Sequence, residues 1–465
     1  MKLGVCVPYR DREFHLHEFI PKVKKHLTEK GIDFEMYFGH QVDDKLFNRG
    51  AMKNVAAEHA FKDGCDYIVW HDIDMIPESN VDYSFPKKNP IHLATNISQM
   101  DWGLKYHEYF GGAVLFSREQ AERTNGYSNN YWDWGMEDDD LFWRCHLEGM
   151  TNDTYLDIPF TKKKYLKFNG IDSWAKIKKS RELRDFNSKC HTISVLCRAF
   201  QIPDKVPPHL IGAKDTPYVE FPILRVPGYD YGISFNNSRA LSLQYWNSFN
   251  QHNYMWLKRY DNQWSWVTVV IDEKSQLSHF YLNGTEVDSK AGIGSESPWK
   301  YTGKLKKYGL KEIYLGTSPG LEENNPGKFF KGDIADVKIW DYALKPDEVK
   351  LLHKEFPLEG LIYKLDIDDL IKNNIEVITE EIKIPNSIIP HRRKGMYDCL
   401  PHIDEGLVNG KWAKGETTAR NERRYVLEMQ KGSWKYKEDG IKQVQYKLIG
   451  IENLTSNAKM LNVEL

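Results

Sequence analysis

Asp72 and Asp74 close the segment YIVWHDIDMIP, Tyr67 to Pro77, whose β-branched and aromatic run reads as a buried strand. Two carboxylates one residue apart at the end of such a strand stand at a site edge. There they can hold a divalent cation against a nucleotide diphosphate, and hard oxygen ligands suit Mn2+ or Mg2+. A second Asp-x-Asp, Asp366-Ile367-Asp368, follows no comparable strand and reads as surface. The stretch NNYWDWGMEDDDLFWRC, Asn129 to Cys145, sets four acids in a row, Glu137 to Asp140. Two readings stand side by side for them. Acids at a helix start gain from the macrodipole. Alternatively, one is a general base and the others accept hydrogen bonds from sugar hydroxyls, with Trp132 and Trp134 stacking on a sugar ring. Gly126 before the stretch and Gly135 within it would let it move as a lid. The sixteen histidines are mostly isolated. His391 and His402 flank HRRKGMYDCLPH, and either could complete a metal site with Asp74. The triplet Arg392-Arg393-Lys394 reads as a solvated face.

The elements around these groups change character along the chain. LGVCVP reads as a strand, EFHLHEFIPKVKKHLTEKG as a helix ending at Gly31, and FEMYFGH as a second strand. Asn48 can cap the helix RGAMKNVAAEHAF, which ends before Gly64. With YIVWHDID as the third strand, the alternation predicts βαβ units, a parallel sheet and ligands at the strands' carboxyl ends. From about Asn152 to Ile384 short alternating runs such as YLKFNG, WSWVTVVI, SHFYLNGTEV, EIYLGT and GDIADVKIW predict an all-β sandwich. Helical spacing there is confined to KPDEVKLLHKEF. Mixed character returns from about Pro385, and two strand-like runs, VQYKLIGIENL and AKMLNVEL, end the chain.

Composition narrows the function classes. The 465 residues suggest two or three domains. Lys plus Arg number 64 against 66 Asp plus Glu, a net charge of −2, which excludes the basic footprint of a nucleic-acid binder. No apolar run approaches the roughly 18 to 20 residues of a membrane span. The opening MKLGVCVPYRDRE has no apolar core of a secretory signal, so a cytoplasmic or otherwise soluble protein is expected. Six scattered cysteines with no CxxC imply neither a disulfide framework nor a zinc ribbon. Phe, Tyr and Trp number 21, 26 and 14, flat rings that suit sugar faces as well as large cores.

Together these stretches resemble the β-1,4-galactosyltransferases, inverting enzymes of the GT-A fold. VPYRDRE, FNRGAMKN, HDIDMIP, YFGGAVLFS, NGYSNNYWDWGMEDDD and DGIKQVQYKL occur in family order over about residues 1–150 and 395–465. HDIDMIPESNVDYSFPKKNPIHLAT is most similar to the xylosylprotein branch, whereas YFGG and EDDD are similar to the lactosamine-type branch. The resemblance implies an α/β GT-A (Rossmann-like) domain in two pieces, 1–152 and 385–465. Between them, 153–384 resembles the laminin-G/concanavalin A-like superfamily, an all-β jelly-roll sandwich and a candidate glycan-binding module.

By matching position, the resemblance makes Pro8, Tyr9, Arg10 and Arg12 part of the nucleotide pocket, with Phe47 against the uracil and Arg49 nearby. Asp72, Ile73 and Gly112 would contact the nucleotide sugar. Tyr109 falls where a tyrosine favours galactose over N-acetylgalactosamine, and Trp134 is the mobile-loop tryptophan. Trp132, Glu137, Asp138 and Asp139 line the acceptor site, with Asp138 as catalytic base. Asp74 and His402 would bind the metal, and Cys399 stands where the Gly-x-x-x-Met-x-x-His pattern has methionine. Asp133 and Met136 also depart from the family, which has glycine, or glycine or arginine, at those places. The implied activity is a Mn2+- or Mg2+-dependent transfer of galactose from UDP-galactose to a glycan acceptor, with a β1,4 linkage. Two alternatives stand beside it: another hexosyl or N-acetylhexosaminyl transferase, and a glycan-binding protein with a decayed transferase half.

Overall fold

The computed structural model describes residues 1–104, 109–155, 162–178, 180–184, 190–201, 219–226, 231–236, 241–246, 252–256, 263–286, 299–300, 312–352, 359–401, 421, 424–425 and 435–465. They fall into two compact units: Met1–Asp153 with Ser387–Leu465, and Thr154–Asn386.

The first unit is built on a seven-stranded sheet. β1 (Lys2–Tyr9) is followed by α1 (Glu13–Glu29), β2 (Asp33–Gln41), α2 (Arg49–Lys62) and β3 (Tyr67–His71). After the short β4 (Met75–Pro77), β5 (Ile91–His92) and β6 (Asn96–Ile97) come β7 (Ala113–Ser117), α3 (Arg118–Thr124) and α4 (Glu137–Leu147). The sheet order is 447–455, 458–464, β2, β1, β3, β7, β5. Alternation along β1 decides the layers. Leu3, Val5 and Val7 face one side with Phe19, Val23 and Leu27 of α1. Cys6 faces the other with Met52, Val55 and Ala56 of α2, and Ile68 and Trp70 of β3. Helices on both faces bury the sheet, so its central strands carry apolar residues on both sides.

The expected parallel sheet needs correction: the sheet is mixed. β1 runs parallel to β2 and β3, and Ala458–Glu464 runs parallel to β2. β7 runs antiparallel to β3, as does β5 to β7. A parallel return needs a crossover, usually a helix. Among the described residues between β3 and β7 there are only short strands and a single 3-10 turn, Ser98–Met100. A separate three-stranded sheet pairs Met396–Cys399 antiparallel to β4 and parallel to β6.

The second unit contains seven- and nine-stranded sheets whose described strands pair antiparallel throughout. The long strands Cys190–Gln201, Ser265–Asp272 and Lys331–Trp340 lie adjacent in the larger sheet. A short helix, Pro346–Leu351, falls within KPDEVKLLHKEF. Asp366 caps the 3-10 turn that contains Ile367 and Asp368, and the Asp368 side chain is exposed beside Lys164, so this Asp-x-Asp lies at the surface. All six cysteines carry free thiols. Among the described residues no helix is long and apolar enough to cross a membrane.

Candidate active site

β3 delivers the first acids. Its five residues are all buried, and the strand ends at His71, so Asp72 to Asp74 emerge from the sheet's carboxyl edge. A buried hydrogen-bond chain braces that edge. Tyr397 Oη donates to Tyr83 Oη, Tyr83 Oη donates to His71 Nε2, and His71 Nδ1 donates to the Asp72 carbonyl, each at 2.9 Å. Only one tautomer of a neutral ring satisfies both contacts. Burial holds His71 neutral by pushing its pKa down to about 4.

α2 delivers the cations. Asn48 caps it by accepting from Ala51 N at 2.9 Å, and the Asn48 amide also donates to the Asn129 carbonyl at 2.7 Å. Arg49 and Lys53, one turn apart, therefore face the same side. Arg49 Nη1 lies 2.7 Å from Glu137 Oε1. Lys53, almost wholly buried, lies 2.9 Å from Asp72 Oδ1 and 3.7 Å from Asp138 Oδ1.

α4 delivers the acid row, and its 3.6-residue period divides the four. Glu137 meets Arg49; although burial pushes its carboxyl up, Arg49 and Lys53 bring it below the ordinary range. Asp138 accepts from Tyr127 Oη at 3.1 Å. Burial, opposed by Lys53 and reinforced by Glu137 and Asp72, pushes its carboxyl up to about 7. Asp139 is half-buried. Asp140 turns away into the core, where it pairs with buried Arg144 and accepts from Tyr131 Oη at 3.0 Å. Arg144 also donates to the carbonyls of Gly126 and Asp439. All four acids fall in the first turn of α4, as the helix-start reading expects, with Asp140 paired inward and Glu137 and Asp138 lining an ionic cluster.

The strand β7 is preceded by two glycines that set the floor. A Cβ at Gly111 would collide with Asp138 Oδ2 and lie 2.7 Å from Tyr109 Oη. Gly112 takes φ +77°, and its carbonyl accepts from Asp72 N at 2.8 Å. Tyr109 lies beside this turn, its hydroxyl pushed up by burial and then by the charge of Asp138. His92 donates through Nε2 to the Gly111 carbonyl at 3.0 Å.

The loop before α4 is backbone-strained. Asp133, Gly135 and Met136 all have positive φ, at 68°, 102° and 77°. Positive φ is what makes glycine the unstrained choice at such positions. Asp133 N donates to the Phe47 carbonyl at 2.6 Å, while the Asn421 amide donates to the carbonyls of Trp132, Trp134 and Gly135. Trp132 and Trp134 themselves are half-buried.

Four of the residues expected in the nucleotide pocket lie at and just after the end of β1. Pro8 and Tyr9 end the strand, Arg10 Nη1 donates to the Lys45 carbonyl at 2.6 Å, and Arg12 stands at the N-cap position of α1. Ile73 is buried, and Phe47 packs partly buried against the α2 side of the core. Leu400 N donates to the Asp74 carbonyl at 2.8 Å, which brings Cys399 and Leu400 alongside Asp74. Cys399 is buried, with Sγ 3.9 Å from the Leu400 carbonyl. His402 lies outside the described residues. His391 is engaged elsewhere, 2.9 Å from the Asn89 amide. Among the described residues no three His, Cys, Asp or Glu side chains converge as a metal site.

Lys53, Tyr127 and Asn421 were not singled out from the sequence. Lys53 had a readable signal, since it stands four residues after Arg49 on a helix capped by Asn48. Asn421 had none, because its partners lie almost 300 residues away.

Residues 1–85 match the family described as the N-terminal region of glycosyl transferase group 7, and 91–172 match the one described as the N-terminal domain of galactosyltransferase. Residues 181–350 match the concanavalin A-like lectin/glucanases superfamily. Human β-1,4-galactosyltransferase 4 is 37% identical over 150 residues, 32% of this chain and 44% of that protein. The chain thus spans less than half the length of this relative. The xylosylprotein 4-β-galactosyltransferase of Caenorhabditis elegans is 32% identical over 220 residues, 44% of this chain and 74% of that protein. A solved complex of Drosophila β1,4-galactosyltransferase 7 with manganese, UDP-Gal and xylobiose is 34% identical, with a TM-score of 0.30, covering 32% of this chain and 62% of that one. This chain, an α/β glycosyltransferase domain with a lectin-like all-β sandwich in its sequence, belongs to the β-1,4-galactosyltransferase family.

Proposed function

We propose that this chain is a divalent-cation-dependent inverting galactosyltransferase that moves galactose from UDP-galactose to a sugar hydroxyl of a glycan, forming a β1,4 linkage. The observation that carries this reading is the cluster joining Asp72, at the edge of the sheet, to Asp138, at the start of α4, through Lys53. One ammonium lies within reach of both Asp72, read here as the donor-side carboxylate, and half-buried Asp138, read here as the base. Asp138 accepts the proton of the acceptor hydroxyl as that oxygen attacks the anomeric carbon, and UDP departs from the opposite face. A carboxyl pushed up to about 7 suits proton acceptance near neutral pH. Pro8, Tyr9, Arg10, Arg12, Phe47, Arg49, Asp72, Ile73, Gly112 and Trp134 bind the nucleotide sugar in this reading. Tyr109 selects galactose, and Trp132, Glu137 and Asp139 position the acceptor.

The carboxylate of Asp74 suits a hard cation. Asp74 follows β3 at the sheet edge, and its carbonyl accepts from Leu400 N, two residues before His402 in the sequence. Asp74 and His402 would hold Mn2+ or Mg2+, with Cys399 as an adjoining sulfur donor. A cation there offsets charge developing on the diphosphate.

The test is a glycan acceptor array with UDP-galactose and Mn2+. Wild-type chain should label at least one class of acceptor. Asp138→Asn should transfer at least about a hundredfold more slowly, the usual worth of a general base, while still binding UDP-galactose. Asp138→Asn transferring at the wild-type rate would sink the assignment.

A further inference from the structure

We infer that Lys53 is a positioning residue of the transfer site, its ammonium tying the donor-side carboxylate of Asp72 and the acceptor-side carboxylate of Asp138 into one frame. The inference rests on the proposed galactosyl transfer. A lysine is almost never fully buried unless its charge is used. Lys53 is 1% exposed, and its neighbours on α2, Ala51, Met52, Val55 and Ala56, are apolar and buried.

Three separate segments converge on that ammonium. Asp72 follows β3 and lies 2.9 Å away, and Asp138 opens α4 and lies 3.7 Å away. Tyr127, between α3 and α4, puts its hydroxyl at 3.3 Å and its ring under the ammonium at 4.6 Å. The same hydroxyl donates to Asp138. The main chain of Lys53 is fixed as well, because Trp70 Nε1 donates to its carbonyl at 3.0 Å.

The charges facing Asp138 divide cleanly. Glu137 on its own helix and Asp72 beyond β3 oppose its ionisation, and Tyr109 and Tyr127 stand neutral beside it. Lys53 and Arg49 of α2 favour it, and Arg49 is 2.7 Å from Glu137. Although burial pulls the Lys53 pKa down, Asp72 and Asp138 hold it above the ordinary lysine range. Lys53 is therefore the larger of the two cationic offsets to burial at Asp138, ahead of Arg49, and without it the carboxyl would keep its proton to higher pH.

The experiment is the pH profile of kcat/KM for wild type, Lys53→Met, Lys53→Arg and Asp138→Asn. Loss of an opposite charge at this distance should move the acid limb of Lys53→Met up by roughly 1 to 3 pH units, with activity recovering at high pH. Lys53→Arg should keep the limb near its wild-type position. A uniform loss at every pH, or an unmoved limb, overturns the inference. Asp138→Asn separates the two failures. If that variant transfers normally, the base assignment falls; if it is inactive and Lys53→Met keeps the wild-type limb, only Lys53 falls. Should Lys53→Met not fold, NMR of selectively labelled lysine in the wild-type chain decides. The Lys53 ammonium should keep its proton to higher pH than an exposed lysine and shift as Asp138 titrates, a shift absent from Asp138→Asn. An ammonium that loses its proton earlier, or does not sense that titration, overturns the inference.

Discussion

In the proposed reaction, Asp138 sets catalysis against stability. Burial raises its carboxyl from the ordinary aspartate value of 3.8 to about 7, despite Lys53. As the proposed base it must be ionised, so transfer should rise with pH through about 7. The stability effect has the opposite sign. A carboxyl raised on folding binds its proton more tightly in the native state, so its contribution is present below about pH 4 and is lost as pH climbs through about 7. Asp138→Asn, neutral at every pH, should therefore show a higher Tm than wild type at pH 8 while losing transfer. Calorimetry at pH 5 and pH 8 checks this, and a variant melting lower than wild type at pH 8 would contradict it. Gly111 belongs to the same balance, because any Cβ there would displace Asp138 or Tyr109.

At the scale of elements, α4 holds the site because its own base is anchored by ions. Arg144, 1% exposed, pairs with Asp140 one turn earlier and reaches the Gly126 and Asp439 carbonyls. Asp439 in turn accepts from Asn129 N at 2.9 Å, so one arginine joins α4, the 126–131 stretch and the chain's final segment. Removing one partner of a buried pair leaves a charge uncompensated. Arg144→Met should cost about 3 to 5 kcal/mol in urea unfolding, and a loss under about 1 kcal/mol would show that the network is incidental. Asn48 plays a smaller part of the same kind, capping α2 and bonding to Asn129, so that Arg49 and Lys53 meet α4 in register.

At the scale of the whole molecule, the chain leaves the first unit and returns to it after Thr154–Asn386. The boundary strands Asn152–Tyr155 and Pro385–Ile389 pair with each other, which leaves a short gap for a linker to bridge. The second unit has its own buried clusters, including Tyr165, Leu196, Trp264 and Trp266. We therefore expect that replacing Thr154–Asn386 by a short Gly/Ser linker leaves a folded transferase that still binds UDP. The excised segment should fold alone as an all-β protein by circular dichroism. Aggregation of both pieces would mean that the units share one folding event.

Much of this was legible in the sequence, for a local reason. Alternating and 3.6-residue periods report which face of a segment is buried. They identified β1 to β3, the capped α2, the β-rich region and the acids beyond YIVWH. They could not say that β7 returns antiparallel, since strand direction depends on how the chain crosses the sheet. Nor could they sort Glu137 to Asp140 by task, because each acid's role follows from the cation it meets: Arg49, Lys53 or Arg144. The neighbourhood of Asp74 and Leu400 joins residues more than 300 apart through one backbone bond. Such pairings are chosen by the assembled sheets, where burial leaves each charge and each amide only the partners that the fold brings within reach.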